Sequence, residues 1–259
     1  MGAESNLFSE EENAYDDELV EQLTSFFEKK YLKKARKSFS AGKPLLVDFA
    51  DLDKYSTKLS DALINRPEDW FECSNGALEK IDFGVDGKRA VMAFNLPKHK
   101  ILKIKDLICE NLNKFVSFEG TIKKVYGVKP RIIYITFVCP ACNAKKIVIQ
   151  DEMFVKKPFM CECGNKRGFT QEMKKYRNTQ NLKGQMTYKN NKIGIKKKDI
   201  DIELNGDLVN PLFEQNIGKE IYLTGILRDK SSENNKETTL RDLYLEANYI
   251  YLSGGDLKK

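Results

Sequence analysis

Phe115-Val-Ser-Phe-Glu-Gly-Thr-Ile-Lys-Lys-Val125 and Val128-Lys-Pro-Arg-Ile-Ile-Tyr-Ile-Thr-Phe-Val138, the second running straight into Cys139-Pro-Ala-Cys142, decide the architecture of this chain. The first alternates apolar with polar residues and the second is an extended, β-branched run, as strands with a buried face do. Gly120 sits where such a strand can coil or bulge. Further extended runs lie at Asp201-Ile-Glu-Leu204, Glu220–Leu227 and Asp242–Leu252. Five or so strands interrupted by a cysteine-bearing hairpin predict an OB-type barrel with an insertion; another small Greek-key barrel fits the strand order equally well.

The cysteines give the insertion its chemistry. Cys139 and Cys142 are answered, after eighteen residues, by Cys161-Glu-Cys163. Four thiolates in two close pairs are the ligand set of a closed structural zinc site, with no position left for substrate. Two disulfides, or four unrelated thiols, are the alternatives. The C-x-C pair would have to bridge outward in the disulfide case, and the cysteine usage fits a reducing compartment, cytoplasm or nucleoid. Such a site holds a fold together and catalyses nothing.

Upstream of the strands the period is helical. Leu19, Val20, Leu23, Phe26, Phe27, Tyr31 and Ala35 form one stripe between Asp16 and Phe39, with Lys29, Lys30, Lys33 and Lys34 late, where the helix dipole favours cations. A short strand at Leu45–Phe49 precedes helices over Asp51–Asn65 and Trp70–Ile81. The expectation is an α+β, multi-domain chain: a helical bundle over 1–99, a barrel over 100–131 and 174–253, and a metal-binding insertion over 132–173.

The 259 residues carry a net charge of +6, which conceals a polarity. Residues 1–99 hold 14 basic and 19 acidic side chains, a net of −5; residues 100–259 hold 30 and 19, a net of +11. A basic second part suggests a polyanionic partner, although lysines also simply solvate exposed faces. Nine of these cations and no acid lie between Glu172 and Asp199, a stretch that reads as a flexible basic loop. Arg228–Glu237 reads as a protruding β-hairpin with a polar tip carrying Lys230 and Lys236. No apolar run approaches the roughly 20 residues that span a bilayer. The single histidine, His99, stands on a basic connector, which argues against a catalytic triad. Gly84–Arg89 lacks the spacing of a phosphate loop and reads as a turn.

Lys103-Ile-Lys-Asp-Leu107, Lys114–Lys124 with its Gly120-Thr-Ile-Lys123, Lys129-Pro-Arg131, Phe137-Val-Cys139, Asp207-Leu-Val209 and Gly218–Leu227, together with Leu45–Leu52, resemble the N-terminal part of minichromosome maintenance (MCM) proteins, in that order. The resemblance is to the archaeal type of this replicative helicase. It implies a helical first domain, an OB barrel and a zinc hairpin, forming the N-terminal tier of a hexameric ring, single or stacked in pairs, that encircles single- or double-stranded DNA. The family's ATPase module would come after the barrel; here the chain stops at Lys259, so it reads as an N-terminal piece without enzymatic activity of its own. DNA contacts fall to Lys123, Lys124, Lys129 and Arg131 on the barrel and to Lys230 and Lys236 on the hairpin; zinc falls to Cys139, Cys142, Cys161 and Cys163. The second cysteine pair is one residue shorter than the family's, and Lys123 stands where arginine is common. Lys123 and Lys124, being adjacent, should face opposite ways unless the strand bulges after Gly120. An oligomerisation-only module, or a stand-alone single-strand-binding OB protein, are the competing readings.

Overall fold

The computed structural model describes residues 17–84, 89–150, 154–190, 194–231 and 241–252. The apolar stripe of the first segment forms α1 (residues 17–40), which passes through a π-helical turn at Phe27–Tyr31. That wider turn lets Phe27 and Tyr31 both be buried, and the Tyr31 hydroxyl donates to Asp51 Oδ2 (2.8 Å) while accepting from the Asp48 N–H (2.9 Å). The strand β1 (Leu45–Asp48) then leads into α2 (Phe49–Tyr55), α3 (Thr57–Asn65) and α4 (Pro67–Lys80). The helix expected over Asp51–Asn65 is thus two helices. Ser56 stands between them in extended conformation, its hydroxyl accepting from the Leu59 N–H to cap α3, as serine does at an N-cap. Pro67 starts α4, where its missing N–H costs nothing.

A strand not expected from the sequence, β2 (Val91–Phe94), pairs in parallel with β1. It also fastens the helical region to the β-rich remainder of the chain. Ala93 N–H donates to Asn248 Oδ1, the Ala93 carbonyl accepts from the Thr224 hydroxyl, and the Leu96 N–H donates to the Tyr222 hydroxyl. Phe115 and Ile226, from that remainder, are buried in the same apolar cluster as Trp70 and Leu78.

Among the described residues the β-rich part has seven strands: β3 (Phe115–Val125), β4 (Lys129–Val138), β5 (Lys145–Ile149), β6 (Thr170–Asn190), β7 (Gly194–Asn205), β8 (Glu220–Ser231) and β9 (Arg241–Leu252). Five close on themselves in the order β3-β6-β7-β9-β8-β3, all pairs antiparallel except β7 with β9. That is a five-stranded OB barrel, filled by Phe118, Ile122, Leu182, Ile202, Leu223 and Leu245 among others. β4 and β5 stand outside the closed ring as an insertion, laid along the first half of β6.

The basic stretch between Glu172 and Asp199, expected as a flexible loop, consists largely of β6 and β7. The reason lies in what β6 buries. Its inward positions over the barrel are Gln180, Leu182, Gly184 and Met186, so only two apolar side chains mark them. Its first half pairs with β4 outside the barrel and leaves Met173 and Tyr176 half-exposed. Residues 191–193, with Lys192, lie outside the described residues, as do most of the Gly84–Arg89 turn and both chain ends.

Closure is tight where β3 meets β6. A Cβ on Gly120 would stand 2.5 Å from the Gln185 carbonyl oxygen and 2.6 Å from the Phe118 ring, and one on Gly184 would stand 2.8 Å from the same ring. The two glycines let Phe118 lie between the strands. Gly120→Ala is therefore expected to cost about 1–3 kcal/mol, read as a lower urea midpoint, whereas Gly127→Ala, which meets nothing within 4 Å, should leave the midpoint nearly unchanged.

Candidate metal centre and nucleic-acid interface

The insertion brings the four cysteines together. Each pair sits in a tight turn: Asn143 N–H donates to the Cys139 carbonyl, and Gly164 N–H to the Cys161 carbonyl. Asn143 and Gly164 take positive φ, 58° and 85°, which asparagine and glycine accept at least cost. The turns face each other, with Cys139 Sγ 3.6 Å from Cys163 Sγ and Cys142 Sγ 3.6 Å from Cys161 Sγ. All four sulfurs lie within 4.8 Å of one another. Thiolates bound at about 2.3 Å to the corners of a tetrahedron stand about 3.8 Å apart, so the spacing fits a shared ion. The one-residue spacer of Cys161-Glu-Cys163 is no obstacle, because Gly164 completes the turn that a longer spacer would otherwise make.

The surroundings favour thiolate at Cys139, one of the two buried corners. Burial pushes the Cys139 thiol up, but the N–H groups of Ala141 and Cys142, with the Cys163 and Cys142 thiols, outweigh it and bring it down to about 6. At Cys142 the Ala144 N–H is outweighed by the neighbouring Cys163 and Cys161 thiols, and that group is pushed up to about 12. Asn165 Nδ2 also donates to Cys139 Sγ at 3.4 Å and to the Arg167 carbonyl. Outer hydrogen bonds of this kind orient metal ligands.

The described basic candidates lie on β3 and β8 of the barrel and on β4 beside it. β3 bulges against β6 between Ile122 and Lys124, and the burial sequence across it is inward at Ile122, outward at Lys123 and Lys124, inward at Val125. Both lysines therefore reach solvent on the same side, which a regular strand would forbid. Lys124 Nζ lies 4.6 Å over the Tyr126 ring. Lys129 is exposed, and Arg131 Nη1 reaches both carboxylate oxygens of Glu203, at 3.1 and 3.2 Å. Lys230 stands in the stem of the β8–β9 hairpin, opposite Asp242, and not at its tip; its ammonium bonds Asp201 at 2.9 Å. Lys236 lies outside the described residues.

One group of site residues is not apparent from the sequence: the carboxylates of β7. Asp199, Asp201 and Glu203 occupy alternate positions, so they share the outer face, while Ile200, Ile202 and Leu204 between them fill the core. Lys123 bonds Asp199 at 2.6 Å and Lys183 approaches Asp201 at 3.5 Å, beside the Lys230 and Arg131 pairs. The Lys123 ammonium and the Gln185 amide hold Asp199 below the usual carboxylate range. Burial pushes Asp201 up, but Lys230 and Lys183 outweigh it and hold it low as well. The period-two acids are visible in the sequence; their partners, on four other strands, are not.

The sequence profile of the MCM OB domain matches residues 103–231. The DNA replication licensing factor Mcm6 of Drosophila pseudoobscura pseudoobscura is 22% identical over 206 residues, covering 74% of this chain and 25% of the fly protein. That of Anopheles gambiae is 22% identical over 167 residues, covering 61% of this chain and 20% of the mosquito protein. The chain thus spans about a quarter or less of these curated relatives. A 1.8 Å crystal structure of the N-terminal domain of an archaeal MCM superposes with a TM-score of 0.69, covering 92% of this chain and 99% of that one at 20% identity. The shared feature there is the fold.

One metal ion per chain is expected by elemental analysis, falling well below one in Cys142→Ser or Cys163→Ser. Because a closed thiolate site contributes folding free energy, chelation should expose the amides of the Cys139–Cys163 hairpin to hydrogen exchange while those of β8 and β9, in the separate barrel core, stay protected.

Proposed function

We propose, from the premise that residues 103–231 belong to the MCM OB-domain family, that this chain is the DNA-binding, ring-forming N-terminal tier of an ATP-dependent replicative helicase. The observation that carries the reading is the convergence of Lys123, Lys124, Lys129, Arg131, Lys183 and Lys230 from four strands onto one outer region of a closed OB barrel. Side chains that contact the backbone of a nucleic acid need cationic ends and solvent access, and these have both. Phosphate contacts fix position without reading bases, so the surface suits a tier that tracks any sequence.

The metal in this reading is zinc. Four thiolates are a soft, closed set that suits zinc and leaves it no open position, so its contribution is to hold the hairpin's two turns together. Asn165, by donating to Cys139 Sγ, orients one of the two buried ligands. In a stacked pair of rings the hairpin would face its counterpart, and the exposed Ile147, Ile149 and Phe159 on this insertion would then be covered.

Ring formation multiplies weak contacts. Lys230 and Lys236 offer two charges per chain, and six copies on one strand would place about a dozen beside it, a sum that counterion release makes strongly salt-dependent. Single strands and duplexes are both within reach of such a channel. The chain itself supplies binding and assembly; ATP hydrolysis belongs to a separate module of the whole helicase. The oligomerisation-only reading draws on one observation, the pairing of Lys123, Arg131, Lys183 and Lys230 with acids of the same chain.

Fluorescence anisotropy with a 20-nucleotide oligothymidylate across a salt series separates these readings. Lys123→Ala combined with Arg131→Ala is expected to weaken binding of all sequences alike and to reduce the slope of log K against log salt by at most about 1.4, at about 0.7 per phosphate contact on single strands. Lys58→Ala, on the helical region, should change neither. Unchanged binding in the double variant, with rings intact by electron microscopy, would leave the oligomerisation module as the reading.

A further inference from the structure

Asp199, Asp201 and Glu203 have no place in a surface meant only to attract phosphates. Their alternation on β7 sets them about 6.6–6.8 Å apart along the strand, in one straight file on the outer face. Lys123 from β3, Lys183 from β6, Lys230 from β8 and Arg131 from β4 lean over that file from both sides. Gln185 and Asn205 hold its two ends by donating to Asp199 Oδ1 (2.8 Å) and Glu203 Oε1 (3.0 Å). A file of singly charged oxyanions at regular spacing, flanked by cations, is what a bound strand of phosphates would itself present.

We propose that β7 is a built-in phosphate mimic: its three carboxylates occupy the cationic side chains of the barrel in the absence of nucleic acid and must be displaced when a phosphate backbone binds. The inference rests on the nucleic-acid reading of this surface and adds to it a competitor within the chain.

Electrostatics gives the mimic two consequences. First, affinity is held down. Phosphates arriving within a Debye length of three carboxylates, about 8 Å at physiological salt, are repelled by them, and each cation gives up an existing partner. The opposing effect is that the carboxylates keep four long side chains extended in place. Ion pairs at this degree of exposure contribute little, so the ordering they provide is small and the competition wins. Second, salt dependence per contact is shallower than unpaired cations would give, even where the sum over a ring is large. A cation that exchanges a carboxylate for a phosphate leaves behind a carboxylate that recruits a counterion, so fewer ions are released per contact than the count of contacts implies. An isolated anion can displace one carboxylate; a continuous strand displaces all three together. The arrangement therefore favours polymers over free phosphate, and keeps contacts weak enough for a ring to slide along its strand. Lys124 and Lys129, which have no carboxylate partner among the described residues, would make the first contacts.

The test uses the full chain with a 20-nucleotide oligothymidylate. Asp199→Asn combined with Asp201→Asn keeps side-chain shape, replaces one acceptor oxygen of each by an amide NH2, and removes two charges. The variant is expected to bind about three- to tenfold more tightly, with a slope of log K against log salt steeper by about 1–1.5, at an unchanged thermal midpoint. Glu203→Gln, alone, is the second variant should the pair fold poorly, with an effect in the same direction. Unchanged or weaker binding by the Asn variants, while Lys123→Ala with Arg131→Ala loses affinity, would overturn the mimic and leave the nucleic-acid surface standing. No effect in either set would overturn the surface and the mimic together.

Discussion

Pairing of β3 with two partners at once is the constraint on which the barrel depends. Its first part runs beside β8 and its second beside β6, with Thr121 in register with both, and that double pairing converts a sheet into a ring without a free edge. A strand can make the turn only where a side chain is missing, since the backbone of β6 comes within 2.5 Å of where a Cβ on Gly120 would lie. Phe118 fills the space left over Gly120 and Gly184. The bulge that directs Lys123 and Lys124 to the same side lies just beyond this point, so the electrostatic surface is a product of the closure.

The same closure decides where the insertion goes. β6 is long enough to serve two sheets, pairing with β4 over its first half and with β7 over its second. The cysteine turns are thereby held at the far end of a ribbon rooted in the barrel, where loss of a metal would not reach the core around Phe118 and Leu223. The helical region is fixed differently, by β2 hydrogen bonds, by Phe115 and Ile226 in its apolar cluster, and by the Arg228 guanidinium, which pairs Glu68 at 2.6 Å and Glu246 at 3.1 Å. Arg228 and Lys230 lie on one face of β8, so the link between regions and the cationic row share a strand.

Much of this is legible in the chain. The limits of β3 come from alternation, and the four cysteines from their spacing, because both signals are local. β6 is hidden because its inward positions include Gln180 and Gly184. Gln180 is buried with both polar atoms engaged, donating to the Tyr126 carbonyl and accepting from the Asn210 N–H, so a polar residue reads there as loop while serving as core. The bulge at Lys123 depends on the register against β6, which no single strand reveals. The pairing of Lys123, Arg131 and Lys230 with β7 depends on closure of the whole barrel, so no one segment of sequence carries both the cations and their acids.

The most direct measurement is a structure of the full chain bound to an oligothymidylate. Consecutive phosphates are expected within hydrogen-bonding distance of Lys123, Arg131 and Lys230, with the Asp199, Asp201 and Glu203 pairs opened or shared and the bases turned away from the strands. A strand bound instead along the helical region or the cysteine hairpin, with those ion pairs intact, would contradict the assignment of the barrel surface.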